Sequence, residues 1–173
     1  MTSEQASFLL NTVYLPQIKN EHKTTRRVIE SIPADKAGWK PDDKSRAALD
    51  LASHIASSEC FFLLGMVNGK FNPGVDGAVP ASVKTPADLL KWYDERFAES
   101  SALLAATSPN DLAKVIDFMG VFQNPAITFA GFMLNHSIHH RGQLSTYLRP
   151  MGSKVPSIYG GSADEPMQAP ARA

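Results

Sequence analysis

The stretch "NHSIHHRGQL", residues 135 to 144, gathers His136, His139 and His140 within five positions and follows them with Arg141. Imidazoles grouped this closely can share a metal ion, act as acids and bases, or face solvent to no chemical end. Helical spacing separates these readings, because each residue of an α-helix advances by ~100°. His136 and His140 then lie ~40° apart, one turn along the axis, where they can hold one ion. His139 is ~60° from His136 and ~100° from His140, so it cannot join both at one point.

The apolar residues of this segment set its phase. Phe129, Phe132, Met133, His136, His140, Leu144 and Tyr147 share one side, while Asn135, His139, Gly142 and Thr146 form a flank. The pair is therefore expected to face inward. Buried imidazoles need partners for their ring nitrogens, and a shared cation accepts a lone pair from each. The third ligand should come from another helix. His54 fits, on the apolar side of its segment with Leu51, Ser58 and Phe61. Three neutral histidines leave a coordination position open, which suits zinc or another first-row metal in a catalytic site.

The remaining candidates are weaker. His22 follows Ile18 and precedes Thr25 and Ile29 on one stripe, but Glu21 and Lys23 place it at the border of a solvated face. Glu59, Arg141 and His139 could orient ligands or substrate from behind the first layer, and Glu21, Glu59 and His139 are the only general-base candidates. Tyr159, in "VPSIYGG", could cover the pocket mouth. Cys60 sits ~240° around the helix from His54 and reads as a small buried apolar residue.

Four long helical segments must position these residues. The first spans about 5 to 31 and carries Pro16, which should kink it or end a preliminary segment. Ser45 is expected to cap the second, over 46 to 67. Thr85, Pro86 and Asp88 mark the start of the third, 86 to 106. Asn124 and Pro125 should open the fourth, which Pro150 and Gly152 stop. Residues 113 to 123 are ambiguous between a short strand and an irregular segment. The connection from about 68 to 84 could reach past ~50 Å when extended, long enough to return along a ~30 Å helix. The expected architecture is all-α, a four-helix bundle running up-down-down-up. A single domain over 1 to 160 is followed by a Gly-, Pro- and Ser-rich tail, 161 to 173, expected to be flexible.

Composition narrows the function. Hydrophobic residues make up 43% of the 173 and charged residues 20%, as in ordinary globular chains. Seventeen Lys and Arg balance seventeen Asp and Glu, so no basic field exists to gather nucleic acid or anionic lipid. No apolar run approaches the ~20 residues of a membrane span, and "MTSEQASFLL" lacks a basic region before its apolar patch. A cytoplasmic protein is expected, and the lone Cys60 agrees with a reducing compartment.

The segment "ALDLASHIASSECFF", the helix "NHSIHHRGQLSTYLRPMG" and the following "VPSIYGGSADE" together resemble the DinB/YfiT-like metalloenzymes. The resemblance covers most of the chain. It implies a four-helix bundle, often a homodimer, with a divalent metal on His54, His136 and His140. Zinc or nickel is the expected ion, with iron or manganese as alternatives. The related bacillithiol S-transferases and mycothiol-dependent isomerase imply a metal that activates a low-molecular-weight thiol toward a small-molecule substrate. A metal-dependent thiol S-transferase is the first expectation. A metal-dependent hydrolase and a non-enzymatic metal-binding stress-response module are the alternatives.

Overall fold

The computed structural model describes residues 1–167. The first helical segment begins earlier than its apolar spacing suggests. Thr2 accepts from the Gln5 amide while the Gln5 side chain returns to the Thr2 amide, closing a capping box ahead of α1, Ser3–Phe8. The chain then passes through a π-helical stretch, Leu9–Tyr14, into α2, Leu15–Glu30. Pro16 neither ends nor interrupts the run. It stands in the first turn of α2, where its missing N–H is least costly, and the wider turn immediately precedes it.

The helix carrying His54, α3, spans Ala48–Asn68. Ser45 does not cap it. Its amide and hydroxyl both bond to the Asp42 carboxylate, at 2.9 and 2.8 Å, and the helix starts three residues later. The first amides of α3 are satisfied instead by main chain: Ala48 donates to the Trp39 carbonyl at 2.8 Å and Leu49 to that of Ala37 at 2.9 Å. The Trp39 ring packs edge-on against Tyr147, at 5.3 Å between centroids, so this connection ties α3 to the last helix.

Thr85 and Asp88 form the expected capping box at the start of α4, Pro86–Ala106. A short α5, Pro109–Ala113, leads into a hairpin of β1, Val115–Phe118, and β2, Phe122–Pro125. The strands pair antiparallel with Phe118 opposite Phe122. Met119 and Gly120, at φ 53° and 75°, make the left-handed turn such a tight connection needs. Asn124 and Pro125 therefore belong to β2 and do not open the last helix. A 3-10 turn, Ala126–Thr128, intervenes before α6, Phe129–Leu148.

The fold is thus mostly helical with one two-stranded sheet. α3 packs against both α4 and α6, and α2 packs against the same two helices. The core between them includes Ile18 and Ile29 of α2, Ile55 and Leu63 of α3, Leu89 and Tyr93 of α4, and Met133 and Leu144 of α6. The hairpin adds Phe118 and Phe122, which stack with Phe129, and Phe118 also meets Phe71 from the long connection. Gly77 of that connection, at φ 72°, lies against the main chain of α3 at Ser57 and Phe61.

Glu165 pairs with Arg27 at 2.5 Å, Asp164 with Arg149 at 3.1 Å, and the Ser153 hydroxyl donates to the Ser31 carbonyl at 2.6 Å. Residues 168 to 173, the rest of the stretch expected to be flexible, lie outside the described residues. Among the described residues no helix is long and apolar enough to cross a membrane.

Candidate metal centre

α3 and α6 pack side by side, and this contact brings together three histidines far apart in sequence. Each of His54, His136 and His140 offers one ring nitrogen within 4.8 Å of the others. The ring centroids are 4.8 Å apart for His54 and His136, 4.7 Å for His54 and His140, and 4.4 Å for His136 and His140. The last spacing follows from the i,i+4 relation on α6. A single ion lying ~2.0–2.1 Å from each nitrogen can draw such a set together with small ring rotations.

The donor set suits a divalent cation in its protonation as well. Burial, then the neighbouring His140 and His54, pushes the His136 imidazole down to about 4. His54 is likewise depressed, first by burial and then by His140 and Arg46. Both are neutral at pH 7, with a lone pair free. His140 Nδ1 lies 2.7 Å from the Gln143 side-chain oxygen, which can only accept. The proton is therefore on Nδ1 and the lone pair on Nε2, so Gln143 fixes the tautomer that ligation requires. His136 Nδ1 is buried with no hydrogen-bond partner among the described residues. In the sequence Gln143 stands out only as part of the stretch that carries the resemblance, with no role, although its position three residues after a candidate ligand is the spacing at which a helical side chain can reach back.

The phase of α6 differs from the one read off its apolar residues. Ala130, Met133, Leu134, Ser137, Arg141, Leu144 and Leu148 are buried, whereas His136 and His140 are half-buried and Phe132 is exposed. The histidines stand at the edge of the buried face and Arg141 near its middle. Asn135, His139, Gly142 and Thr146 are exposed on the flank as expected. The His139 ring lies 4.9 Å from that of His140 but takes no part in the cluster.

Three of the remaining candidates, Arg141, Glu21 and Tyr159, join in one polar network, and a fourth, Glu59, is buried apart from it against Tyr93. Arg141 is 1% exposed and its guanidinium lies 2.6 Å from the Glu21 carboxylate. It also donates to the Thr25 hydroxyl, and the Tyr159 hydroxyl donates to Glu21 at 2.8 Å. The Tyr159 ring, though largely exposed, stacks over the guanidinium at 5.2 Å. Glu59 accepts from the Tyr93 hydroxyl through one oxygen, while the other lies within hydrogen-bond geometry of no donor among the described residues. Burial pushes its carboxyl up to about 7, against the opposing pull of the Tyr93 and Ser137 hydroxyls and Arg141. None of these four makes a hydrogen bond to an imidazole of the triad among the described residues.

His22 sits elsewhere, between α2 and α4. Its ring stacks on Phe97 at 3.7 Å, and its Nε2 lies 3.3 Å from Asp94. Burial outweighs that carboxylate and drives the imidazole down to about 4. Cys60 is fully buried, and burial raises its thiol to about 12, so it is inert.

Two cavities open beside the triad. One, of about 320 Å³, is lined by His54 with Arg46, Asp50, Ser53, Ser57 and Val79. The other, of about 230 Å³, is lined by His140 with Ser45, Arg46, Leu51, Gln143 and Tyr147. Phe62, 6.2 Å from the His136 ring and stacked on Phe118, closes the site toward the hairpin with apolar surface. A larger cavity of about 570 Å³, bounded by Met1, Glu4, Gln5, Phe8 and Leu9, shares no residue with either.

A family model described as the DinB family matches residues 5–171. YrdA, an uncharacterised protein of Bacillus subtilis, is 33% identical over 93 residues, 54% of this chain and 54% of YrdA, so the chain spans about half of that relative's length. YjoA, also uncharacterised and from the same bacterium, is 28% identical over 138 residues, 77% of this chain and 85% of YjoA. The crystal structure of YjoA, a DinB-like protein, superposes with a TM-score of 0.70 at 24% identity, covering 83% of this chain and 95% of that one. A DinB-like protein from Bacillus cereus superposes with a TM-score of 0.70 at 22% identity, covering 84% and 95%. At these identities the superpositions bear on the fold alone.

Proposed function

Because the chain belongs to the DinB family, we propose that it is a metal-dependent enzyme in which His54, His136 and His140 hold one divalent ion and a low-molecular-weight thiol is the cosubstrate. The observation that carries this reading is the convergence of three ring nitrogens within 4.8 Å, from two helices, beside open cavities. Zinc or nickel suits three imidazoles ahead of iron or manganese. Bound there, the ion would lower the pKa of a thiol or water and supply an anionic nucleophile at neutral pH.

The protein's own part is positional. Gln143 holds His140 in the tautomer with Nε2 free. Burial keeps His54 and His136 neutral, so neither must lose a proton before ligating. Phe62 and Phe118 exclude water from one side, where the apolar portion of an electrophile can lie. Among the described residues the ligand cluster is made of the three imidazoles alone, which leaves the ion its full positive charge to stabilise an anionic thiolate.

Metal analysis tests the assignment. Wild-type protein should hold one ion per chain, His54→Ala, His136→Ala and His140→Ala should lose it, and His139→Ala should retain it. Equal loss in the His139 and His140 variants would refute the ligand set. With cobalt bound, a low-molecular-weight thiol should produce a new charge-transfer absorption band. Absence of that band together with metal-dependent ester or amide cleavage would make the protein a hydrolase. Metal binding with neither response would make it a non-enzymatic module.

The same reading extends to the assembly. The four long helices form an up-down-down-up bundle, residues 1 to 160 constitute the single domain, and the protein acts in the cytoplasm as a homodimer. Phe8 and Val13 on the first helical run and Leu103 on α4, all exposed, support a dimer through these faces. A monomer by light scattering at micromolar concentration would reject it.

A further inference from the structure

Arg46 precedes α3 by two residues, and Asp50, Ser53 and Ser57 follow along the helix beside His54. With Val79 they line the cavity of about 320 Å³, a space wide open to solvent and near the lower end of the ~300–1,000 Å³ typical of small-molecule sites. Arg46 also lines the cavity at His140 and is the one residue common to both spaces. Its charge is felt at His54.

Arg46 is distinguished by what it does not touch. Arg26, Arg27, Arg96, Arg141 and Arg149 each pair with a carboxylate, whereas Arg46 has no such partner among the described residues. Asp50 likewise has no cation within 4.0 Å and accepts no hydrogen bond there, although it lines the same small space. The hydroxyls of Ser53 and Ser57 make no side-chain hydrogen bond among the described residues either. Two opposite charges thus face one cavity without neutralising each other, and both are exposed on the free protein.

We infer that this cavity binds a small zwitterion, its carboxylate on Arg46 and its ammonium on Asp50, with the rest of the molecule reaching toward His54. The guanidinium fork matches a carboxylate in two parallel hydrogen bonds. An ammonium has three donors, which Asp50 and the Ser53 hydroxyl, about one turn along α3, can accept, while Ser57 lies farther along the same face. Asp50 disfavours a simple anion, and Arg46 a simple cation, so the pair selects for a ligand that carries both charges. The inference rests on the metal-centre reading only for the destination of the ligand's third group. The charge pair stands on its own.

Three probes of one skeleton isolate it: L-serine carries both charges, ethanolamine lacks the carboxylate, and 3-hydroxypropionate lacks the ammonium. Isotope-labelled protein is titrated with each, zinc-free and zinc-loaded, and followed by NMR at the amides of residues 46 to 57. Serine should bind roughly fivefold more tightly than either fragment, the size of one exposed ion pair. Arg46→Gln should bring serine and ethanolamine to the same affinity, weakening serine and strengthening ethanolamine as the like charge is removed. Asp50→Asn should reduce serine to the affinity of 3-hydroxypropionate. Both side chains are exposed, so both variants should fold as the wild type does. Equal affinity for the three probes, no response to serine, or a serine affinity indifferent to either substitution would overturn the inference. Zinc content, measured on the same samples, reports separately on the metal centre. Discrimination without retained zinc would sink that reading and keep the zwitterion site, while retained zinc without discrimination would do the reverse.

Discussion

Glu59→Gln should change how the protein's stability depends on pH. Glu59 is 2% exposed, and its carboxyl is raised from 4.5 to about 7, chiefly by burial. Between those two pH values the folded state holds a proton on Glu59 that the unfolded chain has released. Stability therefore falls as pH rises through this window: the contribution is full below 4.5 and gone above 7. At ~1.4 kcal/mol per unit, the difference accumulated between pH 5 and pH 8 is about 2 to 3 kcal/mol.

Glutamine keeps the shape and cannot titrate. Its oxygen can take the place of the Glu59 oxygen that accepts from Tyr93, and its NH₂ the place of the oxygen within hydrogen-bond geometry of no donor among the described residues. Urea unfolding of both proteins at pH 5 and pH 8 is the assay. The wild type should lose about 2 to 3 kcal/mol more than the variant between the two, a midpoint shift of ~1–2 M. Every other titrating group is common to both proteins and cancels in the comparison. If the two pH dependences superimpose, Glu59 ionises as an ordinary carboxyl and the argument from burial is wrong.

Gln143→Ala should weaken metal binding by ~10–100-fold in a competition titration without altering the fold, since it removes only the acceptor at His140 Nδ1; unchanged affinity would remove Gln143 from the site. Arg141→Met should cost ~3–5 kcal/mol in urea unfolding, because it leaves Glu21 buried and unpaired. A double variant that adds Glu21→Leu should recover much of that loss, and failure to recover would assign the cost to packing instead. Gly77→Ala should destabilise more than Gly74→Ala in thermal melts. Both positions have positive φ, but a Cβ at Gly77 would fall 2.3 Å from the Ser57 carbonyl oxygen, whereas nothing lies within 4 Å at Gly74. Equal costs would mean that the connection does not rest on α3.

What the sequence makes legible here is whatever one helix decides by itself. His136 and His140 share a face because four residues carry the chain just past one full turn, and Thr85 with Asp88 caps α4 through bonds spanning three residues. His54 could be matched to them because it lies on the apolar side of its segment, whereas Glu21 and Lys23 set His22 at the border of a solvated face. The departures arise where a distant or competing partner intervenes. Asp42 takes the Ser45 hydroxyl, and the Trp39 carbonyl then serves α3 in its place. The two strands are four residues each, too short for alternation to outweigh a helical reading, and only their pairing defines them. Arg141 is the sharpest case. An arginine beside two histidines reads as a solvated or orienting charge, yet its partners Glu21 and Thr25 lie 120 and 116 residues away in sequence. With those partners in place the guanidinium can occupy the middle of the buried face, and the histidines are thereby displaced to its edge, half-exposed and beside the two cavities. Burying Arg141 is thus what leaves the triad accessible to a small ligand, a relation that no periodicity within α6 could reveal.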